Sequence, residues 1–240
     1  MNLILLEPDE WPETDTNRAQ VTLIGRRLEH IYRIHRARVG DQLKVGLVNG
    51  AIGTGSISTL DDQQVTLDVE LTNASIPPSL ATLILALPRP KVLKRTLQTI
   101  TSFGVKEIYL INSYRVEKSY WQSPFLEESC LREQLILGLE QSVDTKLPKI
   151  HLRKGFKPFV EDELAEIRKN KRAIVAHPKT NSEPFPHHLS EPCCLAIGPE
   201  GGFIPYEIEK LEEVGFTAHT LGPRILKVEA AVPAILSRCL

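Results

Sequence analysis

Two short glycine-bearing runs in the last third of the chain limit its fold most tightly. One is Ile197-Gly198-Pro199-Glu200-Gly201-Gly202-Phe203, and the other is Leu221-Gly222-Pro223-Arg224-Ile225-Leu226. Each follows an apolar, strand-like stretch and precedes a helix-like one. Glycine lacks a Cβ, so the backbone can turn sharply there and approach a ligand closely. Two such turns suit neighbouring strands whose carboxyl ends border a crevice, where open α/β sheets bind ligands.

The pattern from Leu80 onward supplies that sheet. Leu80-Leu87 is a nearly continuous apolar run, as expected of a strand covered on both faces. A helix is expected from about Lys91 to Phe103, with Leu93, Leu97 and Ile100 on one face and Gly104 as its stop. Then come Glu107-Ile111 as strand, Pro124-Val143 as helix, Ile150-Leu152 as strand, Pro158-Lys169 as helix and Ala173-Ala176 as strand. A proline-rich loop runs on through Glu191, followed by the strand Cys193-Ile197 and a helix from Pro205 that Gly215 stops. The strand Thr217-Leu221 and a last helix from about Glu229 close the chain. Alternating strands and helices of this kind argue for a parallel, doubly covered sheet. Pro233 is tolerable only near the start of that last helix, because a deeper proline removes a backbone bond.

Residues 1–72 read differently, as a small β-rich domain. Leu3-Leu6, Val21-Ile24, Gln42-Val48 and Ala51-Leu60 are short apolar pieces, the last two joined at the hairpin pair Asn49-Gly50. Val65, Leu67, Val69 and Leu71 alternate with polar partners, the mark of a half-buried strand. Together these suggest a small barrel. Only Leu28-Arg36 looks helical, with Leu28, Ile31, Tyr32 and His35 at helical spacing. Residues 73–79, with Pro77 and Pro78, form a linker to a second domain at 80–240.

A net charge of −1 over 240 residues gives no overall field directed at nucleic acid or membrane. The charge is distributed unevenly, however. Arginines 26, 27, 33, 36 and 38 cluster with one acid between them, and the stretch 89–118 is also basic. Such stretches make either phosphate-binding faces or solvated helix faces. The four cysteines lack metal-ligand spacing and read as buried free thiols, consistent with a reducing cytoplasm. His187 and His188 read as loop surface, and no metal site is expected. The N-terminus carries acids where a signal peptide needs an apolar core, and no run is long enough to span a membrane. A cytoplasmic, soluble protein is the expectation.

Gly198-Gly202 is neither a Walker loop nor a dinucleotide fingerprint. Taken alone, Arg224 reads as a surface or salt-bridged side chain, and Glu229 as a favourable first-turn carboxylate. Taken together, the residues resemble a known family. Gly198-Pro199-Glu200-Gly201-Gly202-Phe203, Glu207 and Leu221-Gly222-Pro223-Arg224-Ile225-Leu226-Lys227-Val228-Glu229-Ala230-Ala231 resemble the SPOUT-class methyltransferases that make N3-methyluridine in small-subunit ribosomal RNA. Weaker matches are the stretch from His30 to Gly40, Lys91, Gly104-Val105 and Glu140-Gln141-Ser142.

The resemblance implies an N-terminal barrel similar to PUA domains, a C-terminal α/β domain with a deep trefoil knot, and a homodimer. It implies S-adenosylmethionine held by backbone of three loops: Ala176 and His177; Ile197, Gly198, Glu200, Gly201 and Gly202; and Leu221, Gly222, Ile225 and Leu226. Arg224 would stabilise the uracil anion or grip a flanking phosphate, and Glu229 would orient Arg224 or accept the proton. Arg33, Arg36, Arg89, Lys91, Arg95 and Arg115 are candidate RNA contacts, with ribosomal RNA or the small subunit as partner. This chain departs from the family pattern at Ser102-Phe103, at Val143-Asp144-Thr145, and at Lys227-Val228-Glu229-Ala230-Ala231. These departures leave open a methyltransferase acting on another RNA, or a non-catalytic RNA-binding or assembly factor that keeps the fold.

Overall fold

The computed structural model describes residues 1–12, 17–178 and 183–240; part of the proline-rich loop, 179–182, lies outside the described residues. Two units divide the chain, the first made of Met1–Pro77 together with Ile136–Leu147. Its strands are β1 (Ile4–Leu6), β2 (Arg18–Leu23), β3 (Gln42–Leu47), β4 (Ile52–Leu60) and β5 (Val65–Asn73), in the order β1-β3-β4-β5-β2. β1 runs parallel to β3, and the other pairs are antiparallel. Asn49 and Gly50 turn β3 into β4, with Leu47 donating its backbone N–H to Ala51 at 3.0 Å. β5 extends to Asn73, past the point where the linker was expected.

Burial follows the two-residue strand period. Val65, Leu67, Val69 and Leu71 join Val21, Leu23, Val45 and Ile57 in one core. β1 is buried on both faces: Ile4 and Leu6 enter that core, while Leu3 and Leu5 pack on Val48, Ile52, Ile136 and Leu139. This second face explains why a segment from the middle of the chain belongs with the N-terminal strands. The N-terminal helix of this unit starts at Gly25 (α1, Gly25–Glu29) and widens into π-type turns over His30–His35. The wider turns change the facing, so Leu28 and Ile31 are buried whereas Tyr32 and His35, expected on the same face, are exposed.

The second unit holds Pro78–Leu135 and Pro148–Leu240. Its strands are β6 (Ala81–Ala86), β7 (Glu107–Ile111), β8 (Lys149–Arg153), β9 (Arg172–Ala176), β10 (Glu183–Pro184), β11 (Cys193–Ile197) and β12 (Thr217–Thr220). All pair in parallel, in the order β10-β12-β9-β11-β6-β7-β8. Every residue of β6 is buried, as its unbroken apolar run requires. β10 is an addition that the proline-rich sequence around it concealed.

The helices are α2 (Pro90–Ser102), α3 (Glu128–Ser142), α4 (Phe156–Pro158), α5 (Leu164–Ile167), α6 (Pro205–Glu213) and α7 (Val228–Leu236). α4 and α5 are joined by π-type turns over Phe159–Glu163. α3 starts later than expected, because Pro124–Leu126 forms a separate 3₁₀ turn. Pro233 lies in the second turn of α7, beyond the four N–H groups that a helix start leaves free, so it removes one helical bond.

Cys193 and Cys194 are buried, but Cys130 and Cys239 are half-exposed, contrary to expectation. Cys239 Sγ lies 3.7 Å from Cys193 Sγ. Among the described residues, no helix is long and apolar enough to cross a membrane, and no His, Cys, Asp and Glu group has the arrangement of a metal site.

Candidate active site

Parallel pairing aligns three strand ends. Ala176, in β9, lies opposite Ile197 of β11 on one side and His219 of β12 on the other. The loops after these strands therefore leave the sheet at one level, and between them lies a cavity of about 480 Å³. That is within the range of roughly 300–1,000 Å³ typical of small-ligand pockets. Ala176, His177, Ile197, Gly198, Glu200, Gly201, Gly202, Leu221, Gly222, Ile225 and Leu226 all line it.

Local backbone chemistry shapes the walls. Gly202 sits at φ +73° and donates its N–H to Pro199 at 2.7 Å. The turn also closes on Gly198, where a Cβ would stand 3.0 Å from the nitrogen of Phe203. In the other turn, the Thr220 hydroxyl donates to the Gly222 carbonyl at 3.0 Å and accepts the Gly222 N–H at 3.2 Å. His219 is buried beneath it, with Nδ1 3.0 Å from the Pro184 carbonyl and Nε2 3.0 Å from the Thr217 hydroxyl. His219, Thr220 and Phe203 also line the cavity. Phe203 ends the first glycine run, whereas His219 and Thr220 look like ordinary strand residues in the sequence, and their place just before the second run is the signal that marks them.

Arg224 is exposed on the cavity wall, and no hydrogen bond or ion pair among the described residues engages its guanidinium. Glu229 lies elsewhere. Val228 and Ala231 of α7 line the cavity, while Glu229, about a quarter-turn from Val228 on a helix, lines a separate groove with Arg95, Thr96, Thr99, Val232 and Pro233. The structure thus does not bring Arg224 and Glu229 together around one cavity, as the sequence reading had expected.

The basic residues also separate. Arg26 and Arg27 are engaged within the first unit: Arg26 pairs with buried Glu140 through two contacts of 2.8 Å, and Arg27 pairs with Glu10. Arg33 is exposed and lies 3.3 Å from Glu29, and Arg36 is exposed. In the second unit, Arg89, Lys91 and Arg95 are exposed. The backbone N–H of Arg89 donates to Glu200 at 3.4 Å. Arg115 stands apart from the other RNA candidates, because it lines the cavity and donates to the Gly201 carbonyl.

Glu207 underlies this arrangement. It is 2% exposed and accepts from the Ser113 hydroxyl at 3.2 Å, the Tyr114 N–H at 2.8 Å and the Ile204 N–H at 3.0 Å. One carboxylate therefore joins the loop after β7 to the start of α6. The bond back to Ile204 closes the first turn of α6, a role read readily from a glutamate three residues into a helix.

A parallel sheet whose neighbouring strand ends enclose a cavity lined by glycine turns defines an α/β protein with a ligand site at a crossover of its strand order. The chain belongs to the family described as RNA methyltransferase domain, whose model matches residues 76–240. The motifs around Gly198 and Leu221 lead to that same family.

Similar proteins include the ribosomal RNA small subunit methyltransferase E of Treponema pallidum, 27% identical, with the match covering 98% of this chain and 88% of that protein. The protein of the same name from Mesomycoplasma hyopneumoniae is 33% identical over 68% of this chain and 70% of its own. The fold is similar to that of the ribosomal RNA small subunit methyltransferase E from Neisseria gonorrhoeae, solved bound to S-adenosyl methionine. That structure has a TM-score of 0.76 and 22% identity, covering 99% of this chain and 95% of the other.

Proposed function

We propose that this chain is an S-adenosylmethionine-dependent methyltransferase of small-subunit ribosomal RNA, acting at N3 of a uridine. The carrying observation is the cavity at the ends of β9, β11 and β12, lined by glycine-bearing turns and apolar residues, with Arg115, Glu200 and Arg224 among them. Backbone N–H and C=O groups suit the edge of an adenine, and the apolar wall suits its faces and the thioether carbons. S-adenosylmethionine, when bound, supplies an electrophilic methyl group on a sulfonium.

The N3–H of uracil is a poor nucleophile, so the reaction needs that proton removed and the resulting ring anion stabilised. As the N3–methyl bond forms, the sulfur–methyl bond breaks and leaves a neutral thioether. Arg224 is the residue we assign to the anion, because its guanidinium is on the cavity wall and unengaged. Glu229 is not given the proton, since it lines the neighbouring groove; the proton passes to water. The target base must leave its stack to reach such a site. Arg33, Arg36, Arg89, Lys91 and Arg95 are assigned to RNA phosphates, being exposed and basic.

The reading also includes a PUA-like N-terminal RNA-binding domain, a homodimer and a cytoplasmic location. A trefoil-knotted path belongs to it too, supported by the return of β12 to the side of β9 away from β11. Isothermal titration with S-adenosylmethionine tests the cofactor, and absence of binding at millimolar ligand would sink it. Nucleoside mass spectrometry of ribosomal RNA from a deletion strain tests the product. Loss of N3-methyluridine is expected, and an unchanged profile would overturn the assigned base.

A further inference from the structure

Arg115 is a surface arginine by sequence, yet its side chain is committed to one turn. Its Nη1 donates to the carbonyl oxygen of Gly201. A Cβ on Gly201 would meet Arg115 Cδ at 2.8 Å, and the next nearest atoms are Cβ and Cγ of the same side chain. Gly201 is not among the glycines at positive φ. The backbone therefore does not demand glycine at that position, whereas a methyl there would push the arginine stem out of its present place.

The chain just before Arg115 is anchored as well. The preceding two residues, Ser113 and Tyr114, donate to the buried carboxylate of Glu207, which also accepts from Ile204 just beyond the glycine turn. The turn after β11 is thus bracketed by a carboxylate on one side and a guanidinium on the other. Arg115 and Gly201 both line the cavity. A side chain serving only to meet RNA phosphate would not need the Cβ space of a cavity-wall residue.

We propose that Arg115 is a positioning residue for the cofactor: it occupies the space left by the missing Cβ of Gly201 and holds that carbonyl, keeping the Gly198–Gly202 turn in its binding shape. The proposal rests on the S-adenosylmethionine reading above. A hydrogen bond from a charged donor is among the stronger ones a backbone carbonyl receives.

The test is a cofactor titration of the wild-type protein, Arg115→Ala, Gly201→Ala and the double variant, with melting curves to confirm that each folds. Each single variant is expected to bind S-adenosylmethionine about tenfold more weakly, the scale of one charge-assisted hydrogen bond. The double variant is expected to bind no more weakly than Arg115→Ala alone, within about threefold, because the methyl added at position 201 then has room. In turnover assays Arg115→Ala should raise KM for the cofactor, leave kcat at saturating cofactor within about threefold, and leave KM for RNA unchanged. Losses that multiply in the double variant, or a raised KM for RNA with unchanged cofactor affinity, would overturn the inference alone. Wild-type protein that binds no cofactor would overturn the cofactor reading and the inference with it.

Discussion

The carboxylate of Glu207 accepts the backbone N–H of Tyr114 at 2.8 Å, joining residues 93 positions apart in the chain. Two more donors, the Ser113 hydroxyl and the Ile204 N–H, converge on the same buried group. Glu207→Ala should therefore destabilise the protein by about 3 kcal/mol, since buried donors lose their acceptor. Urea denaturation checks this, with the exposed Glu209→Ala as a control expected to stay within about 0.5 kcal/mol. Equal midpoints for the two variants would remove the anchoring role.

Gly222 holds φ +124°, with nothing within 4 Å of where a Cβ would stand. An alanine there meets backbone strain and no steric clash. Gly222→Ala should cost about 2 kcal/mol, the scale of one residue held in a sparsely populated region. Denaturation of the variant measures the cost, and an unchanged midpoint would mean that the turn relaxes freely.

Arg26 and Glu140 form a two-contact pair in the first unit, with Glu140 at 2% exposure and Arg26 about half exposed. Removing the arginine leaves a buried carboxylate without its main counter-charge. Arg26→Ala should cost about 2 kcal/mol, below the full buried-pair loss because solvent reaches the arginine. In a double-mutant cycle with Glu140→Ala the losses should be less than additive. Strict additivity would show that the pair is not coupled.

Glu10 gives the first unit a pH dependence. Burial pushes its carboxyl up, but hydrogen bonds from Arg27 and the Glu7 N–H, with the Arg27 charge, bring it net below its ordinary value of 4.5. A depressed folded value stabilises above the unfolded one and is lost as the pH falls through the folded one, so stability should decline below about pH 4.5. Arg27→Gln should flatten that decline. Denaturation midpoints between about pH 3 and 6 compare the two proteins, and parallel curves would refute the linkage.

Much of this organisation was readable along the chain because it is local. The run Leu80-Leu87 reads as a doubly covered strand, and β6 is buried at every residue, with Leu80 just outside it half exposed. Asn49-Gly50 marked a hairpin, and the two glycine runs marked turns at strand ends. The facing of helices was less legible, since it depends on how many residues each turn takes. Wider turns at His30–His35 left Tyr32 exposed, and the rotation of α7 turned Glu229 toward the groove it shares with Arg95. Nor did Glu140-Gln141-Ser142 disclose its use, which is to hold Arg26 and the N-terminal strand.

The sequence by itself determined every strand but β10, the sharp turns and the family to which they belong, because period, glycine placement and motif are properties of neighbouring residues. The tertiary structure decided which of those residues share a cavity. The order β12-β9-β11 sets three distant loops side by side, and Glu207 and Arg115 tie the loop after β11 to a fourth, the one after β7. Contacts across such separations depend on strand order and on the space each side chain leaves to its neighbours, neither of which any short stretch of the chain records.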